Sequence, residues 1–426
     1  MIRTNVTRTL ALAGFLPAGK LSNLISRICL RVATLALASA GMLAPALLPA
    51  PSAQAQTFKL LYTFTGGADG AYPQYGGLIA DSSGNLYGVT AFGGNQEGFS
   101  GSGVVFKLVP AGNETVLYTF TGGADGAQPQ GGLVMDTAGN LYGTTVDGGI
   151  QPGAFGSGVI FELDPAGSET VLLTFDYIDG ANSYAPLLRD AAGNLYGATF
   201  SGGHFGDGAV FELGATGSEK VRYAFSGPAD GANPVGGLIG DSAGNLYGTT
   251  EYGGDLNGCS GKGCGVVFKL APGGQETVLY LFTGGADGAN PYARLNRDAA
   301  GNLYGTTWNG GATGNGTVFK VDAAGQETVL YSFTGGTDGA NPPAGVIQDA
   351  AGNLYGTTNH AGGACFCGTV FKLDTAGNFT VLHTFDGGDG QYPGAPLLLH
   401  GGVLYGTASG GGPHAGAGTI FKITLP

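Results

Sequence analysis

One phrase of five residues, Gly84-Asn85-Leu86-Tyr87-Gly88, returns along the chain with its tyrosine at Tyr87, Tyr142, Tyr196, Tyr247, Tyr304, Tyr355 and Tyr405, the last copy reading Gly402-Val403-Leu404-Tyr405-Gly406. The steps between copies run from 50 to 57 residues. A repeat of this length constrains the architecture before any local assignment is made, because each unit must bury its apolar face against its neighbours.

One complete copy shows what the unit is. Residues 131–136 (Gly-Gly-Leu-Val-Met-Asp), 140–145 (Asn-Leu-Tyr-Gly-Thr-Thr), 158–163 (Gly-Val-Ile-Phe-Glu-Leu) and 169–175 (Glu-Thr-Val-Leu-Leu-Thr-Phe) are short runs with β-branched or aromatic content. Each is bounded by Gly, Asp, Asn or Pro, so each reads as a strand. No stretch carries a 3.6-residue apolar period long enough for a helix. The 85 glycines cluster between these runs without a Gly-X-Y triplet, which excludes collagen and fits a turn-rich all-β protein.

Four strands per unit form one antiparallel sheet, and a ring of such sheets buries what a single sheet cannot. The chain supplies its own check on closure. Residues 58–64 (Phe-Lys-Leu-Leu-Tyr-Thr-Phe) match the fourth strand of a repeat, and residues 418–423 (Gly-Thr-Ile-Phe-Lys-Ile) match the third. The fold expected is therefore an all-β, seven-bladed β-propeller, its last blade sealed by the N-terminal strand and three C-terminal strands, which removes exposed sheet edges. The repeated tyrosines, and Phe106, Phe161, Phe211, Phe268, Phe319, Phe371 and Phe421, are expected to fill the gaps between blades.

Residues 1–55 differ in kind. They hold Arg3, Arg8, Lys20, Arg27 and Arg31 and no Asp or Glu, followed by an apolar stretch from Val32 to Leu48 and then Ala53-Gln54-Ala55. Basic, apolar and small-residue segments in that order describe a secretory signal peptide cleaved after Ala55. The long basic region leaves a downstream start or an uncleaved anchor as alternatives. Residues 56–426 then form a single domain, with 12 Lys and Arg against 30 Asp and Glu, a net charge near −18. Such a surface repels phosphate backbones, so no nucleic-acid partner is expected. Nor is membrane insertion of the mature chain, which is expected to be a monomer. Its four cysteines form two local pairs, Cys259 with Cys264 and Cys365 with Cys367, read as disulfides of an exported protein.

The repeat, Asp-x-x-Gly-Asn-Leu-Tyr-Gly-Thr-Thr followed by Gly-Thr-Val-Phe-Lys-Leu and Leu-Tyr-x-Phe-Thr-Gly-Gly-x-Asp-Gly-Ala-x-Pro, resembles the GloVer tandem repeat of bacterial exported, choice-of-anchor proteins over residues 57–426. The resemblance implies a secreted, periplasmic or cell-surface protein and brings no catalytic residues with it. Members typically carry a sorting or anchoring tail. None follows the last strand here, so retention by such a tail is not expected.

Two sets of loops should share one face of the ring. The first reads Thr-Gly-Gly-Ala-Asp-Gly-Ala-Asn-Pro and links blades. Its recurring aspartates (Asp69, Asp125, Asp179, Asp230, Asp287, Asp338 and Asp389) read as Asp-Gly turns rather than as a calcium ladder, since one carboxylate per loop is too few for a calcium cage. The second set joins strands two and three, and there the repeats diverge. Ala91, Val146, Phe200, Glu251, Trp308, Asn359 and Ser409 occupy one position, and Phe92, Asp147, Ser201, Tyr252, Asn309, His360 and Gly410 the next. An unchanging scaffold with divergent loops is how a propeller varies its binding face.

The ligand-binding candidates are accordingly Phe92, Asp147, Phe200, His204, Glu251, Tyr252, Trp308, His360 and His414, with aromatic stacking area and a few polar groups suited to an extracellular glycan or protein. No cofactor, metal site or catalytic residue is assigned. Two readings stand. The leading one is a non-enzymatic recognition scaffold. The alternative is a channel-mouth lyase or hydrolase resembling streptogramin lyase, with or without a metal, in which a His general base would act beside Glu251 and His204, His360 and His414 are the imidazoles to test.

Overall fold

The computed structural model describes residues 56–94, 101–149, 156–414 and 416–426, all within one compact unit running from Ala55 to Pro426. The expected signal peptide lies outside the described residues. Seven four-stranded antiparallel sheets make up the fold, and apart from one 3-10 turn at Cys259–Gly261 there is no helix among the described residues.

Blade 1 consists of strands Ile79–Ala80, Leu86–Thr90, Val104–Leu108 and Glu114–Thr119, hydrogen-bonded in that order from the axis outward. Blades 2 to 6 repeat the pattern. Blade 7 takes Leu398–His400, Val403–Ala408 and Thr419–Thr424 from the C-terminus, and its outer strand is Thr57–Thr63 from the N-terminus, paired Thr57 to Thr424 and Phe58 to Ile423. The closure expected from the repeat is the closure observed.

The innermost strands differ from expectation. Six-residue runs such as 131–136 give ladders of only two residues, here Val134–Met135. Seven strands converge on the axis, and their Gly- and Pro-rich starts peel away to line it, so little of each run remains to pair. An axial cavity of about 930 Å³ results, walled by the first strands of all the blades.

The core lies between blades. The third-strand phenylalanines are fully buried, each packed edge-on to a second phenylalanine, as Phe106 is to Phe64 at 5.3 Å. Tyr87 of blade 1 packs with Leu133, Leu141 and Phe161 of blade 2, and Tyr355 of blade 6 packs with Leu404 and Phe421 of blade 7. Most of these tyrosines are half-buried rather than sealed, and six of the seven reach a hairpin aspartate through the hydroxyl, Tyr87 donating to Asp81 at 3.1 Å. The glycine after each tyrosine has a steric cause: a β-carbon on Gly88 would stand 2.6 Å from Cζ of Phe106, and one on Gly197 would stand 2.3 Å from Cζ of Phe211. The Asn-Leu-Tyr-Gly phrase is thus a packing unit, with the glycine vacated for the next strand's ring.

Candidate functional site

The linking loops are built from their own aspartates. Asp69 accepts hydrogen bonds from the Thr65 amide at 2.8 Å and the Tyr62 hydroxyl at 3.0 Å, and from the Thr65 hydroxyl. The same threefold engagement recurs at Asp125, Asp287 and Asp338. These carboxylates act as turn acceptors.

Past the Asp-Gly turn the loop enters a residue at positive φ, Asn182, Asn233, Asn290 and Asn341 among them, with φ from 54 to 58°. Asn tolerates this left-handed region better than most residues. Each of these asparagines bridges two blades. The Asn290 amide donates to the Glu251 carbonyl at 3.0 Å, while its own carbonyl accepts from the Trp308 amide at 3.0 Å. Asn341 does the same between Trp308, at 2.9 Å, and Asn359. The backbones of Val146, Phe200, Glu251 and Trp308 are therefore held from both sides, and their side chains are free to differ from blade to blade.

Between blades 4 and 5 these loops enclose a concave space of about 540 Å³, with Tyr75, Glu251, Tyr252, Tyr292, Trp308 and Asn309 on its walls. Tyr75, Tyr292, Trp308, His360 and Tyr392 form a continuous aromatic arc, with successive ring centroids 6.0, 6.0, 5.9 and 5.7 Å apart. Burial pushes the Glu251 carboxyl up, against the opposing pull of Tyr252 and Lys262. The Lys262 ammonium lies 5.0 Å over the Tyr252 ring. The Cys259–Cys264 disulfide closes the loop that borders the space, placing Cys259 and Ser260 at its edge; Cys365 and Cys367 are also joined.

Of the residues singled out from sequence, Glu251, Tyr252 and Trp308 meet in this space, and His360 stands edge-on to Trp308. Phe200 packs on Tyr184 at 5.6 Å and Phe92 on Tyr72 at 5.8 Å, in other sectors of the mouth. Asp147 is half-buried, its carboxyl pushed up by desolvation. His204 and His414 are exposed, His204 resting edge-on against Phe205. Among the described residues no three His, Cys, Asp or Glu side chains converge as metal ligands do.

Sequence reasoning missed Tyr75, Tyr184 and Tyr292. They stand in the linking loops, which look constant, at the residue just before the Gly- or Ala-led start of strand one. Blade by blade that position reads Tyr75, Gln130, Tyr184, Val235, Tyr292, Pro343 and Gly394, a divergence as wide as that of the strand-two loops. These residues line a constriction between the upper space and the axial cavity below.

The fold and its loop-built, aromatic mouth define a repeat β-propeller. The chain belongs to the Gloeobacter/Verrucomicrobia repeat family, whose model matches residues 50–261 and 256–426. No curated protein matches it. Among solved structures it is similar to the extracellular domain of a hybrid two-component system protein of B. thetaiotaomicron, at 15% identity and a TM-score of 0.54, covering 87% of this chain and 41% of that one. It is also similar to the extracellular domain of a one-component system protein of the same organism, at 16% identity and a TM-score of 0.52, covering 86% and 41%. The chain thus spans about two fifths of each of these domains, and at such identities the likeness is one of fold.

Proposed function

We propose that the protein is an exported recognition scaffold that binds a glycan at the aromatic space between blades 4 and 5. The observation that carries this reading is the arc Tyr75–Tyr292–Trp308 around Glu251 and Asn309, since sugar rings are bound by stacking on aromatic faces while a few fixed polar groups orient the hydroxyls. Export is supported by the two cysteine pairs, by the leader-like residues 1–55 and by the extracellular setting of the propellers it resembles. Recognition is favoured over glycoside hydrolysis because, among the described residues, Glu251 is the lone carboxylate on the walls of that space, and hydrolysis needs a pair.

Glycan arrays probed with the full chain, followed by titration calorimetry on the best ligand, test the proposal. Trp308→Ala should weaken binding at least about tenfold, the loss of one stacking platform, with melting unchanged. An array ligand whose affinity survives both Trp308→Ala and Tyr292→Ala would move the site elsewhere. An array without any ligand would sink the glycan reading.

A further inference from the structure

A second feature of the ring lies below the tyrosine constriction. The residue that opens strand one at the axis is Gly77, Gly132, Pro186, Gly237, Gly345 and Pro396 in blades 1, 2, 3, 4, 6 and 7, but Arg294 in blade 5. Six blades thus present nothing long there, and the space they leave is occupied by a single guanidinium-bearing chain. A β-carbon on Gly237 would stand 2.7 Å from Pro186 Cγ and 3.3 Å from Arg294 Cδ, so the glycine leaves space that both neighbours use. Two residues on, blade 5 departs again: Asn296 stands where the other blades carry Ile79, Val134, Leu188, Ile239, Ile347 and Leu398.

Arg294 lines both the constriction and the axial cavity of about 930 Å³. It is half-covered by protein, and the cavity desolvates the rest sufficiently to lower its pKa. Among the described residues no hydrogen bond or ion pair engages its guanidinium. Among the described residues no Asp or Glu lines the cavity, in a chain where acids outnumber bases. The other two arginines on its wall lie over tyrosine rings, Arg189 over Tyr142 and Arg297 over Tyr247, each at 5.6 Å, although the Arg189 Nε is buried without a hydrogen-bond partner among the described residues. A cation partly withdrawn from water without a counter-charge is costly and is ordinarily found paired.

We infer that the axial cavity is a second ligand site, and that it takes an organic monocarboxylate whose carboxylate pairs with Arg294 and whose apolar body lies on the first-strand walls. Arg294 is the guanidinium on this wall that neither lies over a ring nor holds a hydrogen bond among the described residues, and its two parallel N–H donors match a carboxylate. The walls formed by Ile79, Val134, Leu188, Ile239, Ile347 and Leu398 suit an alkyl or aryl body. The site is independent of the glycan-binding face, since Trp308 and Glu251 do not line this cavity.

The test is calorimetric titration of the full chain with octanoate, and with octanol as its uncharged counterpart. One octanoate per chain should bind, and octanol about tenfold or more weakly. Arg294→Gly, which restores the residue used by four other blades, should weaken octanoate about tenfold or more, Arg294→Lys less, and Trp308→Ala not at all. Arg294→Met keeps the side-chain volume and repeats the test if the glycine variant melts early. Absence of octanoate binding, equal binding of octanol, or binding that Trp308→Ala removes and the Arg294 variants spare would each overturn the assignment.

Discussion

Phe58, at the start of the described chain, stacks face to face on His383 of blade 6, with ring centroids 3.6 Å apart and planes within 8°. The N-terminal strand therefore does more than complete blade 7: it also packs against blade 6. Phe58 further contacts Phe385 and Phe421, and the Gln56 side chain donates to the Leu382 carbonyl. Replacing Phe58 with Ala should cost about 2–3 kcal/mol, since a half-buried aromatic loses both area and ring contacts. Denaturant unfolding of the variant measures it, and a change below about 0.5 kcal/mol would mean the ring closes without this strand's help.

His383 occupies the position of Tyr62, Tyr118, Tyr223, Tyr280 and Tyr331, whose hydroxyls reach the next loop's aspartate; its Nε2 does so instead, 2.7 Å from Asp389. His383→Tyr should accordingly leave stability within about 0.5 kcal/mol of the parent, while His383→Ala loses about 1–3 kcal/mol through the lost bond to Asp389 Oδ2 and the vacated stack. Comparing the two variants by thermal unfolding separates hydrogen bonding from mere bulk.

The repeat glycine predicts a coupled pair. On Gly248 a β-carbon would stand 2.6 Å from Cζ of Phe268, so Gly248→Ala should destabilise by about 1–3 kcal/mol through overpacking. Adding Phe268→Leu should recover part of that loss, giving a coupling energy of about 0.5 kcal/mol or more in a double-mutant cycle. Strict additivity would show that the two positions do not press on each other.

Titration should give stability an acidic optimum. Burial, with the charges of Asp69, Asp125, Asp230 and Asp287 adding to it, pushes Glu114, Glu169, Glu276 and Glu327 up to about 7 from an ordinary 4.5. One carboxylate oxygen of each is buried without a partner among the described residues. The folded chain then holds more protons than the unfolded one between about pH 4.5 and 7, so stability falls as pH rises through that window. The hairpin aspartates act oppositely. Burial resists ionisation of Asp81 and Asp241, but hydrogen bonds from Asn85 and Tyr87, and from Asn245 and Tyr247, hold both carboxyls low, Asp241 at about 2. Their contribution is present above about pH 4 and is lost as pH falls further. Melting temperature should therefore peak near about pH 4–5 and decline towards pH 8; a curve that keeps rising to pH 8 would contradict the burial of the glutamates.

The upper site should depend on its blade-bridging asparagine. Asn290→Gly keeps the positive φ but removes the bond to the Glu251 carbonyl and the acceptor for the Asn309 amide at 3.1 Å. Stability should fall by about 1 kcal/mol, and affinity for an array-identified glycan should drop further than melting alone accounts for, because Glu251 and Asn309 lose their placement. Affinity and melting measured on the same variant decide it.

The sequence by itself determined the ring. Period, strand content and the split of the last blade between the two termini are properties of spacing and pattern, and every blade must obey them to pack against the next. It also pointed to the strand-two loops, and so to Glu251, Tyr252 and Trp308, because those residues break a pattern kept elsewhere. What the tertiary structure decided is which departures meet. Tyr75 stands about half the chain away from Tyr292 and Trp308, yet closure of the ring brings blade 1 opposite blade 5 across a narrow mouth. His204, His360 and His414 depart from the repeat as plainly and do not converge. Arg294 was equally visible in its repeat position, but only the convergence of seven inner strands on one axis turns a single substitution for glycine into a cation held inside an apolar cavity. A local pattern fixes each blade; distances across the channel depend on how many blades close it and where each loop's side chain falls, and no local spacing encodes that.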